Sequence, residues 1–219
     1  MSKLKFIASF SGGKDSTLAL CRAIEEGHEP LALLTSYNKQ EGKSWFNCIP
    51  QNLLQCVARQ MNIPLWLLET GGDNYTTNYN KMLVEAKMKG AQAVVFGDID
   101  LEVHRKWCTE RCEAAGLVAL FPLWNEGRKK LVYEFIDRGF VTYINVVDSS
   151  RLSPSFLGKQ ITKELVKAIE EAGADACGEN GEYHSFVCDG PLFASRIPFK
   201  WGTEFRRDKN AYLPPILDE

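Results

Sequence analysis

No run of apolar residues in this chain approaches the ~20 that a helix needs to cross a bilayer. Its opening, Met1 to Phe6, passes straight into a strand-like segment without a signal-type apolar core. The two observations together predict a cytoplasmic protein with no membrane partner. An excess of charge is also missing: 26 Lys and Arg stand against 28 Asp and Glu, for a formal net charge of -2. Without the basic footprint that a phosphodiester backbone demands, nucleic acid is not an expected partner, and small-molecule chemistry moves forward. Cys-x-x-Cys pairs are lacking too. The seven cysteines (Cys21, Cys48, Cys56, Cys108, Cys112, Cys177 and Cys188) are odd in number and scattered, and read as reduced thiols. There is no internal repeat and no low-complexity segment.

What is present is an ordinary globular composition, 45% hydrophobic and 25% charged over 219 residues, enough for one substantial core and a smaller appendage. Leu4 to Phe10 reads as an apolar strand, broken by Ser11-Gly12-Gly13 before a helical pattern from Ser16 to Glu26. Further strands are expected at Pro30 to Thr35, Pro64 to Glu69, Ala93 to Phe96 and Leu117 to Phe121. Helices carrying Leu53, Leu54, Val57, Ala58 and Met61, then Tyr75 to Ala86, then Glu102 to Ala115 separate them. Apolar strands alternating with helices predict an α/β fold, a doubly wound parallel sheet of five strands. Ligands of such sheets bind beyond the carboxyl ends of the strands. Ser11 to Ser16, Thr35-Ser36 and Gly97-Asp98 are read as lying at those ends.

After Trp124 the rhythm changes. A short helix near Lys130 to Arg138, a strand around Phe140 to Val147 and a helix from Ile161 to Ala172 precede a Gly-, Pro- and aromatic-rich tail, read as loops and short strands. The expected organisation is an N-terminal domain of residues 1-125 and a smaller α+β domain of residues 126-219.

Ser11-Gly12-Gly13-Lys14-Asp15-Ser16 falls between a strand and a helix, where backbone N–H groups and the helix dipole favour an anion. The glycines allow close backbone approach, Ser16 reads as a helix N-cap or hydroxyl donor, and Lys14 reads as a solvent-facing cation that offsets phosphate charge. A Walker A loop is excluded, because Ala8 and Asp15 occupy positions where that motif needs glycine and Ser or Thr. Asp15 beside a polyphosphate implies a divalent cation or a structural cap. The competing interpretation is an ordinary glycine-rich turn.

In this setting the hexapeptide resembles the signature of the pyrophosphate-loop ATPases, which include amide ligases and transfer-RNA sulfur-insertion enzymes. Gly97-Asp98-Ile99, Arg105, Glu110, Cys112, Gly116-Leu117, Pro122-Leu123-Trp124 and the run Gly178-Glu179-Asn180-Gly181-Glu182-Tyr183-His184-Ser185 narrow the resemblance. Across nearly the whole chain they are similar to the diphthine–ammonia ligase family. Asn180, His184 and Ser185 stand where forms associated with diphthamide synthesis tend to have Gly, Glu and Thr, so the motif looks more like that of bacterial relatives.

The resemblance implies an adenine nucleotide alpha-hydrolase-like domain that binds ATP with Mg²⁺, and an amidation that releases AMP and pyrophosphate. Ser11, Gly12, Gly13, Lys14, Asp15, Ser16, Thr35, Ser36, Gly97 and Asp98 become the expected nucleotide contacts, with Asp15 as the Mg²⁺ ligand. Lys14, Asp15, Glu179 and Glu182 become the expected catalytic groups, and Arg105, Glu179, Asn180, Glu182 and His184 the expected substrate contacts. Implied partners are a small-molecule or protein-borne carboxylate acceptor, ammonia, and a possible second copy in a homodimer. The remaining chain has no room for a glutaminase, so ammonia is expected free or from a partner.

Taken as residues alone, Glu179 and Glu182 are paired acids able to hold ammonium or take a proton, or else loop acids, one of them capping backbone N–H groups. His184 titrates near neutrality. Cys108 and Cys112, one turn apart and beside His104, suit a buried helix face better than a metal. Trp107, Trp124 and Trp201 are read as core or wall aromatics, and Glu204, Arg206, Arg207, Asp208 and Lys209 as a solvated face. Two rival functions remain: a tRNA-modifying enzyme built on the same loop, and an ATP-binding sensor without turnover.

Overall fold

Strands buried on both faces read as continuous apolar runs, and here the runs pair as parallel neighbours. β1 (Lys5–Ser9) is central, with β2 (Glu29–Asn38) and then β4 (Leu65–Glu69) on one side, and β5 (Ala93–Val95) and then β6 (Val118–Leu120) on the other. A two-residue β3 (Lys43–Ser44) adds an antiparallel edge to the end of β2. The five parallel strands therefore run in spatial order 3-2-1-4-5, reversing direction at β1, as expected of a doubly wound sheet. The computed structural model describes residues 3–45, 47–71 and 74–218.

Three of the helices between these strands are α1 (Lys14–Glu25), α3 (Tyr75–Met88) and α4 (Glu102–Ala114). Tyr79, Leu83 and Ala86 of α3, with Cys108 and Cys112 of α4, close one core over Ile7, Leu34 and Val94 of the sheet. Side chains alternate along a strand, so Phe6 and Ala8 point to the opposite face. The right-handed crossover rule puts α1 on that face, since β1 to β2 and β4 to β5 step in opposite directions.

The chain divides into two units. The first comprises Met1–Ser11, Asp15–Trp45 and Asn62–Asn125; the second comprises Gly12–Lys14, Phe46–Met61 and Glu126–Glu219. In the second unit, β7 (Val141–Asp148) and β8 (Tyr183–Asp189) pair antiparallel, and β11 (Asn210–Tyr212) and β10 (Phe205–Arg207) extend the sheet beyond β7, leaving β8 at its edge. β9 (Phe199–Trp201) and β12 (Pro215–Leu217) form a separate ribbon. The helices are α2 (Gln51–Met61), α5 (Arg128–Asp137) and α6 (Lys163–Glu171). Thr162 caps α6 through its hydroxyl, which accepts from the Leu165 N–H at 3.2 Å, and Val166 and Ile169 carry the buried face.

Several local expectations are corrected. Helix α1 begins at Lys14, so Ser16 lies inside its first turn and is not the N-cap. β2 continues to Asn38, which puts Thr35 and Ser36 inside the strand. They still lie past the carboxyl end of β1, because Ser9 pairs with Leu34. The tail holds one substantial strand, β8, where loops and short strands are expected.

Candidate functional site

In the first unit, the loop flanks are drawn together by serine. The Ser16 hydroxyl accepts from the Ser11 N–H at 3.3 Å and lies 3.1 Å from the Ser11 hydroxyl. The two serines that bracket the Gly12–Asp15 stretch are thereby pinned to each other. Gly97, just after β5, lies against that start. A Cβ there would stand 2.8 Å from the Ser16 nitrogen and 2.9 Å from the Asp15 carbonyl carbon, so backbone approaches backbone at a distance only glycine permits.

Asp98 follows, largely buried, with its carboxylate 3.4 Å from Nδ1 of His104. Burial pushes the Asp98 carboxyl above the usual carboxylate range; His104 opposes the rise and the charge of Asp15 adds to it. Asp15 and Asp98 thus bear on each other electrostatically at the carboxyl edge of the sheet. Thr35 is fully engaged in structure: its hydroxyl donates to the Phe10 carbonyl at 2.7 Å. Burial raises the Tyr75 phenol above its ordinary value, and the Ser36 side chain opposes the rise. Arg105 is half-buried, with its guanidinium 4.6 Å from the Trp124 ring centre and 5.7 Å from that of Phe121. Two aromatic faces therefore set the plane of its five donors.

The middle of the loop belongs to the second unit. Lys14, expected to face solvent, is 4% exposed. Its ammonium stands 5.3 Å from the centre of the Tyr183 ring, within cation–π range. Its backbone N–H donates to the Ser185 hydroxyl at 3.2 Å, and the Gly12 carbonyl accepts from the Val187 N–H at 3.0 Å. Gly12 has φ +81°, the left-handed region that favours glycine, and a Cβ on it would also press on the Ile49 side-chain tip at 2.6 Å.

The run from Gly178 to Ser185 has a different internal logic from the one its spacing suggests. Glu182 is 4% exposed, and its carboxylate is consumed by its own loop. Oε1 accepts from the Asp175 N–H at 3.3 Å and from Asn180 Nδ2 at 3.0 Å, while Oε2 accepts from the Asn180 N–H at 3.0 Å. Asp175 accepts from the Glu179 and Cys177 N–H groups and pairs with Arg128 at 2.8 Å. Arg128 also donates to Asn180 Oδ1 at 3.0 Å. Arg128, Asp175, Asn180 and Glu182 therefore form one hydrogen-bonded frame. The Glu179 side chain and His184 are half-buried. Within the motif, then, the Glu182 and Asn180 side chains bond to each other and to the loop backbone, and the Glu179 N–H is held by Asp175. Sequence reasoning misses Arg128, Asp175 and Asn47, which carry no local signal, and quotes Tyr183 and Ser185 without giving them a role.

Cys108 and Cys112 are both buried, and burial pushes each thiol up to about 12. Trp107 packs against Tyr79 at 5.2 Å between ring centres, and Trp201 against Phe199 at 5.0 Å. Both are wall or core aromatics, as expected. Glu204, Arg206, Arg207, Asp208 and Lys209 are exposed.

Comparison with known proteins adds the following. Residues 4–119 match the family described as diphthamide synthase N-terminal domain, and residues 127–213 the diphthamide synthase C-terminal domain. A Rattus norvegicus protein named diphthine–ammonia ligase is 26% identical, the match covering 96% of this chain and 88% of that protein. The Homo sapiens protein of the same name is 26% identical over 89% of this chain and 82% of its own length. The Schizosaccharomyces pombe protein of that name is 25% identical over 89% of this chain, which spans only 36% of that longer protein. A solved structure described as a predicted subunit of tRNA methyltransferase from Methanocaldococcus jannaschii aligns with 86% of this chain and 98% of its own, at a TM-score of 0.47 and 14% identity.

Proposed function

Because the chain belongs to the diphthamide synthase family, matched in both its N-terminal and C-terminal domains, we propose that it is an ATP-dependent amide ligase. An acceptor carboxylate attacks the α-phosphate of ATP, the α–β phosphoanhydride bond breaks, and pyrophosphate leaves. Ammonia then attacks the acyl carbon of the resulting adenylate; AMP departs, the nitrogen gives up a proton, and an amide remains. The observation that carries this reading is the Ser11–Ser16 loop at the start of α1, pinned by the Ser11–Ser16 contact and closed against Gly97 backbone to backbone. The positive end of the helix dipole at such a start favours a polyphosphate.

Roles are assigned from where each side chain stands. Lys14 stabilises charge on the leaving pyrophosphate from a buried, ring-backed position, where its charge is worth more than in water. Ser11, Gly12, Gly13 and Ser16 shape the loop, and Gly97 lets it close. Thr35 and Ser36 bound the nucleoside side through backbone and scaffold, since the Thr35 hydroxyl is already bonded. Asp15 would be the hard-oxygen ligand of Mg²⁺, which would supply charge neutralisation at the phosphates. Arg105, with its plane set by Trp124 and Phe121, recognises an anionic oxygen pair on the acceptor. Glu179 receives the proton from ammonia, with His184 nearby in sequence as a second titrating group; Asn180 and Glu182 fix the loop that carries Glu179.

Residues 1-125 would accordingly serve ATP and residues 126-219 acceptor and ammonia. The relatives' name specifies diphthine; for this chain the proposed class is a carboxylate acceptor, protein-borne or small. Sulfur insertion is disfavoured by seven buried cysteines, with Cys108 and Cys112 at about 12 and Cys188 at about 11, values that suppress the thiolate such chemistry uses. The test is release of pyrophosphate and AMP in equal amounts from ATP, ammonium and a panel of carboxylates that includes diphthine-bearing protein. ATP binding with no pyrophosphate release for any acceptor would sink the ligase reading and leave the sensor.

A further inference from the structure

Helix α1 starts at Lys14, whose N–H is among the four at a helix start that have no partner within the helix. The residue before it is Gly13, which has no side chain to cap with. The acceptor comes instead from 171 positions along the chain, the hydroxyl of Ser185 at 3.2 Å. Ser185 is itself anchored. It is 3% exposed, and its carbonyl accepts from Asn47 Nδ2 at 2.6 Å. The carbonyl of Asn47 in turn accepts from Nδ2 of the fully buried Asn145 on β7. Two residues before and after Ser185 on the same edge strand, the Tyr183 ring backs the Lys14 ammonium and the Val187 N–H holds the Gly12 carbonyl. The segment Gly12–Lys14 is thus gripped at its carbonyl, its N–H and its side-chain tip by three alternate residues of β8.

We propose that Ser185 is a positioning residue of the phosphate loop: by capping α1 from β8 it fixes the path of the Lys14 backbone, and so directs the lysine charge to the β- and γ-phosphates of ATP. The proposal rests on the reading of this loop as the ATP site. Its consequence is selective. The loop touches the terminal phosphates, so loss of the Ser185 hydroxyl weakens ATP and pyrophosphate but leaves AMP alone.

The experiment is calorimetric titration of the full chain with ATP and, separately, with AMP, for wild type, Ser185→Ala and Ser185→Thr, each with a thermal midpoint. One neutral hydrogen bond corresponds to a loss of about 3- to 10-fold in ATP affinity for Ser185→Ala. AMP affinity should stay within about 2-fold, and Ser185→Thr, which keeps the hydroxyl, should recover ATP binding. If Ser185→Ala does not fold, Ser185→Cys, which fills the space but accepts weakly, carries the same expectation. Unchanged ATP affinity, or equal losses for ATP and AMP without recovery in Ser185→Thr, overturns the positioning role. A wild-type chain that binds neither nucleotide overturns the ATP reading itself, a result distinct from either.

Discussion

Replacing Glu182 by glutamine changes one atom's chemistry at a position where three donors converge. The carboxylate accepts from the Asp175 N–H, the Asn180 N–H and the Asn180 side-chain amide. A glutamine has one acceptor oxygen. With it at the Oε1 position two bonds survive, but the new NH₂ faces the Asn180 N–H, donor against donor; in the flipped state one bond survives and two are lost. The better orientation still forfeits one hydrogen bond to a charged acceptor, about 1.5–3 kcal/mol, and weakens the other two. Removal of a buried charge offsets part of this, leaving a net loss of about 2 kcal/mol. For a chain of this size that is a fall of roughly 4–8 °C in thermal midpoint. Calorimetry at pH 7 gives the midpoint, and pyrophosphate exchange per folded molecule shows whether adenylation survives. Glu179→Gln is the companion: a stability change of about 0.5 kcal/mol or less, a midpoint shift of about 1–2 °C, with amide formation down about 10²-fold. A Glu182→Gln protein melting within a degree of wild type would refute the assignment of that carboxylate to the loop frame.

Three further outcomes are expected. Lys14→Met keeps the buried stem but removes the charge, so ATP affinity measured by titration should fall about 10-fold while the fold persists; unchanged affinity would remove Lys14 from the phosphate site. Gly97→Ala puts a methyl 2.8 Å from the Ser16 backbone nitrogen, which cannot turn aside, and should cost about 1–3 kcal/mol in urea unfolding together with nucleotide binding. Asp148 is buried; burial alone would raise its carboxyl, but Lys209 at 2.6 Å and Ser150 outweigh burial and hold it at about 2. Its folded value lies below the ~3.9 of an unfolded aspartate, so its stabilisation is complete above about pH 4 and is lost as pH falls toward 2. Because Lys209 is exposed and screened, the contribution is about 1–2 kcal/mol, and Asp148→Asn should flatten the acid limb of a pH-dependent urea midpoint; an unaltered limb would refute it.

The strands of the first unit are legible in sequence because burial on both faces makes each an apolar run between glycines and polar turns. Ends are less legible where their causes are distant. Helix α1 starts two residues before the reading that made Ser16 its cap, because Lys14 is capped by Ser185 rather than by its own neighbourhood. β2 passes through Thr35 and Ser36 since β4 continues to pair with it as far as Glu69, a constraint absent from the local composition. β8 is masked by the glycines before it and by His184 and Ser185 within it; only pairing with β7 defines it. Of the candidate site, the phosphate loop is evident from two glycines, a lysine and a serine between strand and helix. The burial of Lys14 is not, because the ring that covers it lies at position 183. For the paired acids both readings are available from spacing; the hydrogen bonds of Glu182 within its own loop support the proposed loop-holding role for that residue.

The grip of β8 on Gly12–Lys14 bears on how this protein can be divided. A fragment comprising residues 1-125 would contain every letter of the phosphate-loop motif and the whole parallel sheet, yet it would leave behind Tyr183, Ser185 and Val187, the groups that shape the motif's middle. The motif as written in the N-terminal sequence is therefore incomplete as a physical object. Exchange of C-terminal halves between distant relatives would have to carry an aromatic ring at 183 and a hydroxyl at 185, whereas any residue but proline supplies the main-chain N–H at 187.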